Sequence, residues 1–146
     1  MSRVYLIAAD KPLPLREKEQ PWNRVMTLSE HFRTPELRGQ KRLLSGVDHF
    51  NVREHIYYRG AVAELELEMK PYQYELEVAD NEWGSDQLTA YLKETFSSGE
   101  QVELWSLWVG GEPSRPVRYA GPLTEFDLET LRQFFTSEAI CITITI

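Results

Sequence analysis

Glutamates alternate with apolar residues in two adjacent runs, residues 63–69 and 72–78. Period-two alternation is typical of a strand with one buried and one solvated face, so we predict an antiparallel hairpin that turns at Lys70-Pro71. One face of this hairpin would carry all the carboxylates of the two runs: Glu64, Glu66, Glu68, Glu75 and Glu77.

This predicted acidic face is suited to binding rather than to catalysis. Pairing the two runs would place Glu66 opposite Glu75 or Glu77, and each such pair of like charges costs a few tenths to about 1 kcal/mol. Water, a neighbouring cation such as Arg53, or a basic partner protein can offset that cost. A metal ion needs carboxylates that converge on one point, whereas a flat sheet spreads them. We therefore predict no metal site and expect a solvated or partner-binding surface.

The nucleophilic and metal-ligating residue types show no catalytic spacing. His31, His49 and His55 lack the H-x-x-x-H and H-E-x-x-H patterns of zinc sites, and no G-x-S-x-G motif is present. We expect the histidines to be exposed or hydrogen bonded. Cys141 lies in an apolar, β-branched run, which predicts a buried thiol with a raised pKa. No catalytic residue and no cofactor is predicted, which favours a protein that is not an enzyme.

Two tryptophans complete the candidate partner-binding residues. Trp105 and Trp108 lie in the apolar run 102–109, which predicts a central strand. Their opposite parity places them on opposite faces of that strand. Tryptophan is enriched at binding hot spots, so one of the two is a candidate for contact with another molecule.

An alternative site would be a pocket between two loops rich in proline or glycine, residues 10–22 and 110–122. In this hypothesis the chain is a small-ligand-binding protein or an enzyme. The polar groups near these loops would form the pocket: Asp10, His49, Arg115, Arg118 and Tyr119. The hypothesis requires that these side chains converge on one cleft.

Predicted strands and helices along the chain would position these residues. Strands are predicted at 3–9, at 52–59, in the two hairpin runs, at 102–109 and at 140–146. Two helices are predicted late in the chain, with Ser85 and Thr124 as their N-caps. A capping box at residues 27–30 predicts a short helix that ends before Pro35. The order predicts an α+β fold for a single domain, residues 1–146: one mixed or mainly antiparallel sheet of about five to six strands, two C-terminal helices on one face, and an irregular, short-helical N-terminal segment.

Charge restricts the class of partner. The formal net charge is −7, and residues 61–112 alone contain 12 acidic and only two basic residues. Such a field repels phosphate, so we predict no binding to nucleic acid and no docking on anionic membranes. The single cysteine excludes a disulfide framework. No apolar run is long enough for a membrane span, and the N-terminal apolar run is too short for a signal peptide, so we expect a cytoplasmic protein.

Together these features favour a small, acidic, non-enzymatic interaction or regulatory domain that binds a basic protein surface. Toxin-neutralising immunity proteins share this size and charge, as an analogy and not as a sequence match. A homodimer is a further hypothesis, with the Ile-rich C-terminal strand paired across a two-fold axis.

Overall fold

The computed structural model describes residues 2–17, 48–112 and 115–146. Its six strands form one sheet: β1 (Ser2–Ala9), β2 (Phe50–Glu54), β3 (Tyr72–Val78), β4 (Gln101–Val109), β5 (Val117–Pro122) and β6 (Ile140–Thr145). Three helices accompany it: α1 (Arg59–Ala63), α2 (Glu82–Thr95) and α3 (Leu128–Gln133). The predicted α+β class with one mixed sheet is confirmed. The capping box at 27–30 and the rest of the N-terminal helical prediction lie outside the described residues.

The strands lie in the order β2-β3-β1-β4-β6-β5. All neighbours are antiparallel except β5 and β6, which are parallel. The apolar strands β1 and β4 occupy the centre, where both faces of a strand are covered. The C-terminal strand β6 has β4 on one side and β5 on the other. Both of its edges are therefore in use, so the predicted dimer contact through this strand is wrong.

Helices α2 and α3 cover one face of the sheet, as predicted. Leu88, Tyr91 and Leu92 of α2 recur with helical spacing and share a hydrophobic cluster with Leu131 of α3 and with strand residues such as Ile142. The helix boundaries differ from the predictions at their N-termini. Asn81, not Ser85, caps α2, and its side chain accepts from the backbone N–H of Gly84.

Helix α2 thus begins about one turn earlier than predicted, whereas α3 is capped about one turn later. The side chain of Asp127 accepts from the backbone N–H of Thr130, 2.9 Å away. Thr124, the predicted cap, lies instead within a 3-10 turn at Leu123–Glu125. An aspartate at an N-cap is favoured over a threonine because its charge also interacts well with the helix dipole.

The opposite face of the sheet is covered by residues 58–69, and here the predicted hairpin is wrong. Residues 59–63 form α1, and residues 64–69 continue without a strand. The run cannot pair with β3 because β2 and β1 already occupy both edges of that strand. The predicted strand at 52–59 is correspondingly shorter and ends at Glu54.

Residues 117–122, which the sequence assigned to a loop, form the edge strand β5. Within residues 2–17, 48–112 and 115–146, no helix has the length and apolarity that crossing a membrane requires.

Candidate functional site

The first three glutamates of the acidic pattern are exposed although they are not in a strand. Residues 64–69 leave α1 through Glu66, whose φ of 52° is uncommon for a residue with a side chain. The apolar residues of the run, Leu65, Leu67 and Met69, pack against the second hydrophobic cluster of the sheet. The alternation therefore has the predicted consequence, with apolar side chains inward and carboxylates outward. We call residues 64–69 the acidic segment.

The acidic segment is attached to the sheet by residues at its C-terminal end. The backbone N–H of Lys70 donates to Glu103 of β4 over 2.8 Å. The same carboxylate oxygen accepts from the indole N–H of Trp105 at 3.2 Å. Nζ of Lys70 lies 2.6 Å from the carboxylate of Asp10, just after β1. The segment is thus held at a defined position over strands β1 and β4.

Glu75 and Glu77 lie in β3, on the sheet face opposite to Leu76 and Val78, and are not paired with the acidic segment. Glu75 is opposite Leu6 in β1 and opposite Arg53 in β2. Nη1 of Arg53 lies 2.9 Å from Oε1 of Glu77. Burial, then the charge of Glu77, raises the pKa of Glu75, while Arg53 opposes that shift. The predicted glutamate pairs across a hairpin do not form, and Arg53 balances these two carboxylates.

The two tryptophans point to opposite faces of β4, as predicted, but neither forms an open binding surface. Trp105 is fully buried in the second cluster, and the guanidinium carbon of Arg118 lies 5.2 Å from the centre of its ring. Trp108 is partly buried, stacks with Arg3 at 5.1 Å and donates its indole N–H to the carbonyl of Ser137. Both side chains have structural partners within the chain.

An exposed apolar pair that the sequence assigned to a strand lies in the turn after β2. Among the described residues, Tyr57 and Ile56 are the most exposed large apolar side chains, at 85% and 70%. The ring of Tyr57 meets that of Tyr58 edge to face at 4.7 Å, and the N–H of Arg59 donates to the carbonyl of Ile56. We call this pair the Ile56–Tyr57 knob. Gly60, three residues after Tyr57, is the one feature of the sequence that indicates an early end of the predicted strand, because glycine is depleted in strands.

A cavity of about 310 Å³ opens beside the knob. Ile56 and Arg59 line it on one side, and the start of β3, including Tyr72 and Gln73, lines it on the other. His55 also borders the cavity, but only 2% of this residue is exposed. Neither of its ring nitrogens has a hydrogen-bond partner within residues 2–17, 48–112 and 115–146. Burial, then the charge of Arg59, lowers the pKa of His55. The expectation of an exposed or hydrogen-bonded histidine is therefore wrong at this position.

The described part of the chain contains no group of three or more His, Cys, Asp or Glu residues placed to hold a metal ion. Cys141 is buried, and burial, then the charge of Glu103, raises the pKa of its thiol to about 11, as predicted in direction. Comparison with protein-family models, curated proteins and solved structures finds no match to this chain. The function proposed below therefore rests on the arrangement of this chain's residues alone.

The residues of the alternative pocket are not brought together. His49 precedes the edge strand β2, whereas Arg115, Arg118 and Tyr119 lie in or before the opposite edge strand β5. Five strand spacings separate these edges, about 24 Å. Asp10 follows the C-terminal end of β1, and the register places Arg118 level with Leu6, about 13 Å back along the strand direction. These side chains do not share one cleft.

Proposed function

We propose that this chain is a protein-interaction domain that binds a basic partner protein through the Ile56–Tyr57 knob and the acidic segment beside it. The observation that carries the proposal is the exposure of two adjacent large apolar side chains, Ile56 at 70% and Tyr57 at 85%. Removing such side chains from water is the main driving force of association, and tyrosine is enriched among the residues that dominate binding energy.

The knob is held in place before any partner arrives. Its flanking residues, His55 and Tyr58, are buried or partly buried, and Tyr58 packs against the second hydrophobic cluster. The N–H of Val62 donates to the carbonyl of Tyr58 and starts α1 immediately after the knob. A preformed contact loses less conformational entropy on binding than a mobile loop does.

The acidic segment supplies the charge that would select the partner. Glu64, Glu66 and Glu68 are exposed and begin directly after the five-residue helix that follows the knob. Exposed charges at the rim of an interface add little affinity, but they accelerate association and disfavour partners of the same sign. A basic protein surface with an apolar centre is the complement of this arrangement.

The cavity beside the knob adds a concave element to the same surface. Ile56 contributes both to the knob and to the cavity wall. A partner side chain that enters the cavity would bury Ile56 from both sides, which increases the apolar area removed from water.

The experiment compares matched variants of the immobilised chain against lysate of the source organism. Tyr57→Ala removes the centre of the surface. As its control, Leu15→Ala removes another large apolar side chain, 44% exposed, that neither lines the cavity nor lies in β5. A triple Lys substitution of the acidic segment at positions 64, 66 and 68 is matched by a triple substitution of the helix residues Asp86, Glu94 and Glu129, which changes the net charge equally on the other face.

A protein that the wild type retains is then purified, and its dissociation constant is measured by calorimetry at two salt concentrations. We expect Tyr57→Ala to weaken binding about 30-fold or more and Leu15→Ala to leave it unchanged. The acidic-segment variant should bind more slowly and lose most of the salt dependence, whereas the helix variant should not. Equal effects of the test and control variants would refute the proposal, as would retention of no protein.

A further inference from the structure

The strand β5 forms an open edge of the sheet. Among the described residues its one paired strand is β6, and none of its six residues is buried. Val117 and Tyr119 are 39% and 46% exposed, which is unusual for the large apolar side chains of a strand. An edge strand presents unpaired N–H and C=O groups that can bind another strand.

The register identifies which backbone groups of β5 are unpaired. The N–H of Val117 donates to the carbonyl of Ala139 over 2.8 Å, so Val117 directs its polar backbone groups toward β6. In a ladder these directions alternate, and Tyr119 and Gly121 therefore also face β6. The N–H and C=O groups of Arg118 and Ala120 point away from the sheet. They form four hydrogen-bonding groups on one exposed edge.

We propose that β5 binds β5 of a second copy of this chain, in an antiparallel arrangement with the two-fold axis beside Tyr119. Arg118 then lies opposite Ala120 of the partner subunit, and these two residues exchange two hydrogen bonds. The symmetric pair adds two more, so all four free groups on each edge are used. Two arginines never face each other directly in this register.

The side chains of this register also fit. Tyr119 meets Tyr119 of the partner subunit across the axis, and aromatic pairs stabilise neighbouring strands. Val117 lies opposite Gly121 of the partner subunit, on the face that carries the α2 and α3 helices. A groove of about 140 Å³ runs along Tyr119 and Gly121, with Phe126 and Ile142 in its wall. The valine side chain would enter the groove beside the glycine, where Oε2 of Glu125 lies 3.4 Å from the position of an added Cβ atom.

Proline residues limit how far the contact extends. Pro116 precedes β5 and Pro122 is its last residue, so the ladder spans about five residues. An interface of this length is below the size of most stable dimers, so association is expected in the micromolar range or weaker. The self-complementary register is the reason to favour a second copy over an unrelated strand.

Cysteine cross-linking tests the position of the axis. In Tyr119→Cys the two introduced thiols would face each other in a pair without direct hydrogen bonds, where Cα atoms are about 4.5 Å apart and a disulfide can form. In Arg118→Cys the two thiols would be offset by two residues, with Cα atoms about 8 Å apart, which is too far for a disulfide. The native Cys141 is buried and does not interfere.

We expect oxidation of Tyr119→Cys to give a covalent dimer at least about tenfold faster than that of Arg118→Cys. Sedimentation of the wild type from about 1 µM to about 1 mM should show a monomer–dimer equilibrium. Ala120→Pro removes one outward N–H from each copy and should raise the dissociation constant at least about tenfold, whereas Ala120→Val should not. A monomer at every concentration, even one whose β5 edge recruits another protein, would overturn the proposal, as would equal cross-linking of the two cysteine variants.

Discussion

The carboxylate of Glu103 accepts a hydrogen bond of 2.8 Å from the backbone N–H of Lys70 and so attaches the acidic segment to the central strand β4. The same oxygen also accepts from the indole N–H of Trp105, which is fully buried. One side chain thus satisfies two donors that belong to different elements. The position of the proposed binding surface depends on this carboxylate.

Replacing Glu103 should therefore destabilise the fold in a graded way. Glu103→Ala leaves both N–H donors without their acceptor, and we expect a loss of about 2 kcal/mol in the free energy of unfolding. Glu103→Gln keeps a carbonyl oxygen that can accept both hydrogen bonds, so its loss should be below about 1 kcal/mol. Urea denaturation followed by tryptophan fluorescence measures both values. Equal losses for the two variants would show that the acceptor oxygen of Glu103 does not account for its contribution to stability.

A second prediction concerns the dependence of stability on pH. Burial, then Arg59, lowers the pKa of His55 in the folded state below its usual value of 6.5. The unfolded chain therefore binds more protons at this site as the pH falls through 6.5. The titration of His55 therefore has no effect on stability well above that pH, and it lowers stability as the pH falls from 6.5 toward the folded-state pKa. The neighbouring Glu54 and Arg59 are the charged residues that line the same cavity.

His55→Leu should remove this component, so stability should change less between pH 7.5 and pH 5 than in the wild type. It should also raise the stability at pH 7.5 by about 1 kcal/mol, because two ring nitrogens without partners are replaced by an apolar group. Arg59→Gln keeps the histidine but removes the charge, and should give an intermediate pH dependence. Parallel stability curves for wild type and His55→Leu would contradict the assignment.

The sequence predicts the centre of the sheet well because local pattern and tertiary environment agree there. Residues 6–9 are all apolar and buried, as a central strand covered on both faces requires. The alternation of residues 63–69 was ambiguous. The alternation predicts which side chains are buried, but it does not determine whether these residues form a strand. That depends on β3, whose edges are taken by β1, more than sixty residues away, and by β2.

The candidate site shows the same division. The exposed glutamates at 64, 66 and 68 follow from polarity alone. The Ile56–Tyr57 knob does not, because β-branched and aromatic residues usually indicate a strand. Strand β5 was missed because Pro116, Gly121 and Pro122 suggest a loop, although proline is compatible with an edge strand. Whether an apolar residue is exposed, or a strand lies at an edge, depends on which distant parts of the chain pack against it. A local sequence pattern does not contain that information.

The third prediction is that Cys141 is unreactive while the chain is folded. Its thiol has a pKa raised from 9.0 to about 11, with burial as the first cause. At pH 8 a shift of that size lowers the thiolate fraction about 100-fold, and burial excludes the reagent as well. Labelling by a thiol reagent should therefore follow global unfolding and speed up in urea. Rapid labelling in native buffer would show that the C-terminal strand opens locally.

The last prediction compares two glycines that lie near the start of different helices. A Cβ atom at Gly84 in α2 would lie 2.0 Å from the carbonyl oxygen of Ala79, which is backbone and cannot move aside like a side chain. Apart from its chain neighbours and the backbone of its own helix, a Cβ atom at Gly60 in α1 would meet no heavy atom of the described residues within 4 Å. The two positions therefore predict opposite effects of the same substitution.

Gly84→Ala should lower the free energy of unfolding by at least about 3 kcal/mol, because relieving the overlap must displace the turn that joins β3 to α2. Gly60→Ala should raise it by about 0.5–1 kcal/mol, since alanine reduces the entropy of the unfolded chain and favours helix. Urea denaturation of both variants beside the wild type measures the two changes. A stabilised Gly84→Ala would mean that Ala79 does not approach α2 as closely as described, and a destabilised Gly60→Ala would mean that α1 is covered from outside.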